Sequence, residues 1–205
     1  MSVYVQLDGP DGCGKSSQAT ALVAFLQARG CVVRHLREPG STPVGEALRQ
    51  LLLSPATGEL QPVSEALLFS AARAELVAQQ VAPALARGEV VVAERGYLST
   101  LVYQALAMQP GLPVDWVLDL TRRVHGAFLP HVVFVLDVSP QTSRQRRRAR
   151  AEDRIEARAT DYHERVRAGF LRAVALEPRA RLVDAERPFE VVQLELQHGM
   201  TELLR

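Results

Sequence analysis

The run Gly9-Pro10-Asp11-Gly12-Cys13-Gly14-Lys15-Ser16 decides the reading of this 205-residue chain. It satisfies G-x-x-x-x-G-K-[ST] and stands between a strand-like segment, residues 3–7, and a segment of helical period, residues 16–29, closed by Gly30. In that setting the glycines let backbone N–H groups converge on phosphate oxygens, and the start of the helix adds partial positive charge. Lys15 can reach the β- and γ-phosphates and the Ser16 hydroxyl can ligate Mg²⁺, so the loop is expected to hold a nucleoside triphosphate with magnesium. The competing reading is a glycine-rich turn that only joins strand to helix. Composition weighs against it: among the 24 basic residues Lys15 is the sole lysine, set where a compact ammonium is most useful against phosphate. Cys13 reads as a small filler of the loop rather than as a reactive thiol.

Outward from the loop, short buried-type runs alternate with amphipathic stretches, the pattern of a mostly parallel sheet covered by helices. Strands are expected over residues 3–7, 32–36, 90–93, 132–138 and 182–184. Helices are expected over 16–29, 44–53, 64–86 with an interruption at Pro83, 99–108, 114–125, 161–176 and 189–204. The fold class is α/β, a three-layer P-loop NTPase fold with a five-stranded parallel sheet flanked by helices. With 47% hydrophobic and 23% charged residues and no repeat or low-complexity linker, residues 1–205 are expected to form one domain. A net charge of +1 and a pI near 7.9 give no global electrostatic case for nucleic acid or an anionic membrane as partner, so any phosphate affinity must be local. No basic-then-apolar leader opens the chain and no apolar run reaches about 18 residues, which reads as a soluble, cytoplasmic protein. Cys13 and Cys31 make neither a disulfide framework nor a metal cluster.

A triphosphate loop does not say where the phosphoryl group goes; water, a protein and a small acceptor all stay open. Three further segments bear on this: Arg37-Glu38-Pro39-Gly40-Ser41-Thr42, then Leu68-Phe69-Ser70-Ala71-Ala72-Arg73, then Glu94-Arg95-Gly96-Tyr97-Leu98-Ser99-Thr100-Leu101-Val102-Tyr103-Gln104-Ala105. Phe69 and Arg73, four residues apart, share one helix face and offer a stacking plane beside a guanidinium; the bland reading is a core Phe with a solvated Arg. Arg95 follows the third strand, at the carboxyl edge where open α/β sheets hold ligands.

In their order and distances from the loop, these segments resemble the thymidylate kinase family, over roughly residues 3–192. The resemblance implies that Glu38 and Pro39, in an R-E-P-G-G-T-like segment, and Arg49 shape the acceptor side. Phe69 and Arg73 would bind the nucleobase. In a segment like D-R-[YFH]-x-x-S-x-x-A-Y-Q-G, Arg95 would hold the acceptor phosphate, and Ser99, Tyr103 and Gln104 would line the thymine and deoxyribose pocket. Tyr103 would discriminate against a ribose 2′-hydroxyl. Asp11 would contact the sugar 3′-hydroxyl, and Ser17 and Ala185, the latter in a late loop like the family's, would lie on the ATP side. Four positions depart from the pattern: Glu94 replaces Asp, Gly96 an aromatic or His, Val102 Ala, and Ala105 Gly. The longer Glu94 can still approach the magnesium shell or orient Arg95, and Gly96 frees local space.

Residues 144–158, alone, read as a nucleic-acid patch or a solvated helix face, and the interleaved Glu152, Asp153 and Glu156 weigh against the first. After a fourth strand, with Asp153-Arg154-Ile155-Glu156 inside it, the run resembles the mobile arginine-rich lid of thymidylate kinases, which closes over ATP and supplies cations. Gly12 and Cys13 stand where one branch of that family carries a loop arginine, so the resemblance implies a catalytic lid arginine among Arg148, Arg150 and Arg154. The implied reaction is phosphoryl transfer from Mg·ATP to dTMP, toward dTTP, by Lys15, Arg95, the lid and a metal held by Ser16 and Glu94. A homodimer face, or simply core, is expected on helices 64–86 and 114–125. The alternatives are another nucleoside monophosphate or deoxynucleoside kinase of the same fold, and an ATP-binding protein that has lost transfer.

Overall fold

Six consecutive buried residues, Val3–Asp8, form β1, and a strand covered on both faces is what a parallel sheet between two helical layers requires. The computed structural model describes residues 2–147 and 153–205. After β1 come α1 (Lys15–Ala28), β2 (Val33–Arg37) and α2 (Pro43–Leu53). Gln18, Ala19, Leu22 and Leu26 make the buried stripe of α1. Thr42 caps α2 by accepting from the Gly45 N–H at 2.9 Å, with Pro43 at the first helical position. Next are α3 (Pro62–Leu76), α4 (Ala82–Ala86), β3 (Val90–Glu94), α5 (Tyr97–Thr100) and α6 (Val114–His125). The chain ends with β4 (Val132–Asp137), α7 (Pro140–Arg147), α8 (Thr160–Leu176), β5 (Ala180–Asp184) and α9 (Phe189–Leu203).

Most element ends fall within one or two residues of those expected, the ordinary fraying margin. Two helices differ in kind. The segment expected as one helix over 64–86 is α3 and α4 joined by a π-helical turn, Val77–Val81, in which the Ala82 N–H reaches back five residues to the Val77 carbonyl. Pro83 explains it: its ring would crowd the carbonyl of Gln79, and a wider turn makes room. The helix expected over 99–108 is α5 followed by a second π-helical turn, Leu101–Leu106, ending where the Ala107 N–H bonds to the Val102 carbonyl at 2.8 Å.

All five strands are parallel, in the order β2-β3-β1-β4-β5. Because β1 lies between β3 and β4, the chain leaves it in one direction and later returns to its other side. The crevice beyond its carboxyl end is therefore the switch point where such sheets bind ligands. One core fills the face under α1 and α9, with Leu7, Leu22, Phe134 and Leu196 fully or nearly buried. Another packs Tyr97, Leu101, Val133 and Phe170 under α5, α6 and α8. A third, around Tyr4, Leu76 and Val91, seats α3 and α4 against β2 and β3. Among the described residues no helix is long and apolar enough to cross a membrane.

Candidate active site

A cleft of about 570 Å³ opens at the carboxyl ends of β1 and β3. Its floor is the loop between β1 and α1, where Gly14 (φ 96) caps α1 so that Lys15 is the first helical residue. Gly12 (φ 75) is forced by space as well as by backbone: a Cβ there would lie 2.6 Å from the Ser143 carbonyl of α7. The Ser143 hydroxyl donates to the Asp11 carbonyl at 2.5 Å, so α7 rests directly on the loop. Lys15 folds over it, its ammonium donating to the Gly9 and Pro10 carbonyls at 3.0 and 2.7 Å.

Opposite the loop stands Arg95, expected from the sequence to hold an acceptor phosphate. Arg95, in left-handed backbone (φ 67), pairs with Asp11 and donates to Ser99 Oγ at 3.1 Å. Its guanidinium lies 5.6 Å from the Tyr103 ring centroid, and the Tyr103 hydroxyl donates to Asp11 at 3.1 Å. Burial alone would raise the Asp11 pKa, but Arg95, Lys15, the Tyr103 hydrogen bond and Arg147 together hold it at about 2. Behind them Asp8, which the sequence reading did not single out, accepts from Ser99 N–H at 3.0 Å and Ser99 Oγ at 2.6 Å, its pKa raised by burial.

On the acceptor side Arg73 is almost fully buried, its Nε 2.6 Å from Glu38 and its Nη2 3.0 Å from the Gly96 carbonyl. Phe69, one turn before it on α3, lines the same wall. Arg49 of α2 donates to the Pro39 carbonyl at 3.0 Å. Gln104 donates to Glu65 at 2.9 Å, a fully buried carboxylate that also pairs with Arg154 and Arg158, each at 2.7 Å.

Glu94, at the end of β3, accepts from the Ser16 hydroxyl and from His35 of β2, the latter at 2.9 Å. Burial would raise its pKa, yet the His35 and Ser16 donors lower it, so it stands as an ionised oxygen donor at the loop. Ser16 and Glu94 are hard oxygen ligands that fit magnesium. Among the described residues no group of three His, Cys, Asp or Glu forms a metal cage.

Of the residues singled out from sequence, Asp11, Gly12, Gly14, Lys15, Ser16, Ser17, Glu38, Pro39, Arg49, Phe69, Arg73, Glu94, Arg95, Ser99, Tyr103 and Gln104 line this one cleft. Gly9 and Pro10 lie behind it as carbonyl partners of Lys15, and Cys13 is packed in the core. Ala185 is nearly buried and accepts from Arg146 through its carbonyl at 3.1 Å. Arg154 pairs with Glu65 and donates to the Leu52 carbonyl at 2.9 Å, and it is not among the residues lining the cleft. Arg148 and Arg150 lie outside the described residues. Arg146 and Arg147 of α7 line the cleft instead, a placement legible only once α7 is seen to rest on the loop.

The sheet order, the loop and the facing arginine define a class: an α/β P-loop protein of the three-layer NTPase kind. The family model for thymidylate kinase matches residues 7–196. The thymidylate kinase of Symbiobacterium thermophilum is 41% identical over 205 residues, covering 100% of this chain and 95% of that protein. That of Deinococcus radiodurans is 39% identical over 202 residues, covering 98% and 97%. This chain belongs to the thymidylate kinase family.

Proposed function

We propose that the chain transfers the γ-phosphoryl group of ATP to the 5′-phosphate of dTMP, giving dTDP and ADP on the way to dTTP. One observation carries the choice of acceptor. Gln104 Oε1 and Arg73 Nη1 belong to cleft-lining residues and are buried without a hydrogen-bond partner. The first is an acceptor and the second a donor, and buried polar atoms of both kinds call for partners. A thymine or uracil ring offers an N3–H donor beside a carbonyl oxygen, the complementary pair; guanine offers the same pair, and the names of the relatives weigh against it. Cytosine presents a ring acceptor beside an amino donor, the reverse pattern. Phe69 supplies the stacking face, and the names of the relatives favour thymine over uracil.

An acceptor phosphate is already anionic and nucleophilic, so the reaction needs no general base. One of its oxygens bonds to the γ-phosphorus as the bond to the β–γ bridging oxygen breaks, and ADP leaves with that electron pair. Catalysis is then alignment and charge neutralisation. Arg95, braced by Asp11 and Ser99, holds the acceptor phosphate, and Lys15 balances charge on the transferring group. Ser16 and Glu94 would hold a magnesium ion, which neutralises phosphate oxygens when bound. The family resemblance assigns donor-side cations to the 144–158 segment; Arg146 and Arg147 line the cleft, whereas Arg154 would first have to leave Glu65. Homodimer formation belongs to the same proposal, supported by half-exposed Val63 and Leu67 on α3 and Trp116 on α6, and light scattering of the purified chain checks its mass.

The test is ADP release from Mg·ATP with dTMP, dUMP, UMP, CMP, AMP and GMP as acceptors. Fast turnover with dTMP, slower turnover with dUMP and little with the others is expected; no acceptor-dependent release, or preference for a cytosine or purine acceptor, would overturn the reading.

A further inference from the structure

Gly96 stands between two arginines of the acceptor pocket: it follows Arg95 in the chain, and its carbonyl accepts from Arg73 at 3.0 Å. Its backbone is extended (φ −176), a conformation open to any residue, so the glycine is not demanded by torsion. It is demanded by space. A Cβ built on it would lie 2.0 Å from Gln6 Oε1, 2.3 Å from Cδ and 2.7 Å from Nε2, so the space expected to be free at Gly96 is instead filled by the Gln6 amide.

Gln6 cannot yield that space cheaply. It points off β1 with no exposure, and its Nε2 donates to the Tyr4 hydroxyl at 2.6 Å and to Glu38 Oε1 at 3.4 Å. The other carboxylate oxygen of Glu38 takes Arg73 Nε at 2.6 Å. A closed circuit results: Gln6 to Glu38, Glu38 to Arg73, Arg73 to the Gly96 carbonyl, and Gly96 back onto Gln6 by contact. An amide is suited to the place because it donates to a carboxylate while adding no charge beside Arg95.

We propose that Gln6 is a positioning residue for the acceptor pocket, one that occupies the side-chain space of Gly96 and sets Arg73 through Glu38. The proposal rests on the acceptor reading above. Its consequence is a paired dependence: any side chain at 96 evicts Gln6, and loss of Gln6 frees Glu38 and lets Arg73 shift from the base.

The experiment is a double-mutant cycle with Gln6→Ala, Gly96→Ala and their combination, with KM for dTMP, KM for ATP and kcat measured for each. Each single variant is expected to raise the dTMP KM about ten-fold, the scale of one lost buried hydrogen bond, while the ATP KM and kcat stay within a factor of about two. The combination is expected to be no worse than either single change, because Gly96→Ala has nothing left to evict. Gln6→Met, which keeps the length and removes the donor, should reproduce Gln6→Ala and serves if the alanine variant fails to fold. An unchanged dTMP KM in Gln6→Ala and Gln6→Met, a parallel rise in ATP KM, or additive penalties in the combination would overturn the proposal. Wild-type turnover in the same series separates the two readings: its absence with dTMP condemns the acceptor assignment, and the cycle is then run on whichever monophosphate is turned over.

Discussion

At the scale of single residues, the cleft is built from charges that hold one another in place. Lys15 is proposed as the cation of the transferring phosphoryl group, and Lys15→Ala is expected to lower kcat by about 10² to 10³, the usual effect of removing one preorganised charge in a dry site; steady-state kinetics at saturating ATP checks it. Asp11 braces Arg95, and its pKa lies near 2 against an ordinary value of 3.8. A carboxylate with a depressed folded-state pKa contributes stability that is present above its unfolded pKa and fades as pH falls through the folded one. The unfolding free energy of wild type minus that of Asp11→Asn should thus be constant above about pH 5 and shrink between about pH 4 and pH 2. A gap that persists at the acid end would show that the pair stabilises by packing and not by charge. The difference is the quantity to follow, since Asp8, raised by burial, titrates in the opposite sense. Lys15 and Ser16 were legible in the loop motif, Arg73 in its helix face and Arg95 in its place after a strand, whereas Tyr103 was legible only through the family resemblance. Asp8, Gln6, Glu65 and His35 were not, because each acquires its place from a partner at least 32 residues away that only the tertiary fold supplies.

At the scale of elements, Glu65 joins three parts of the molecule that sequence pattern keeps separate. From the first turn of α3 it receives Gln104 from the π-helical turn and Arg154 and Arg158 from the segment before α8. Glu65→Ala would leave two guanidinium groups and an amide with no carboxylate, and breaking a buried pair in this way costs about 3 to 5 kcal/mol. Urea unfolding should show a loss of that size, and a loss below about 1 kcal/mol would mean the arginines find water or other acceptors at once. The same contact explains why Arg154 is turned from the cleft although it lies in the run read as a lid. Strands and helices were legible to within a residue or two because apolar runs, helical periods and a closing Gly30 carry local signals. The two π-helical turns were not, since a five-residue hydrogen bond leaves the apolar period almost unchanged; only Pro83 hinted at one of them.

For the whole molecule, the order β2-β3-β1-β4-β5 explains why the loop after β1 and Arg95 after β3 meet: neighbouring parallel strands end at the same edge, and the register Leu7↔Glu94 sets the loop beside the acceptor arginine. The sheet brings donor and acceptor sites to one crevice, and α7 rests on the loop that binds the donor. Transfer from one phosphate to another is the chemistry proposed for this arrangement. The most direct measurement uses ATP radiolabelled at the γ-phosphate, incubated with dTMP and magnesium, with the products separated. The account predicts that the label passes into dTDP in step with ADP formation. Label released as inorganic phosphate, or ADP formed with no labelled dTDP, would contradict it.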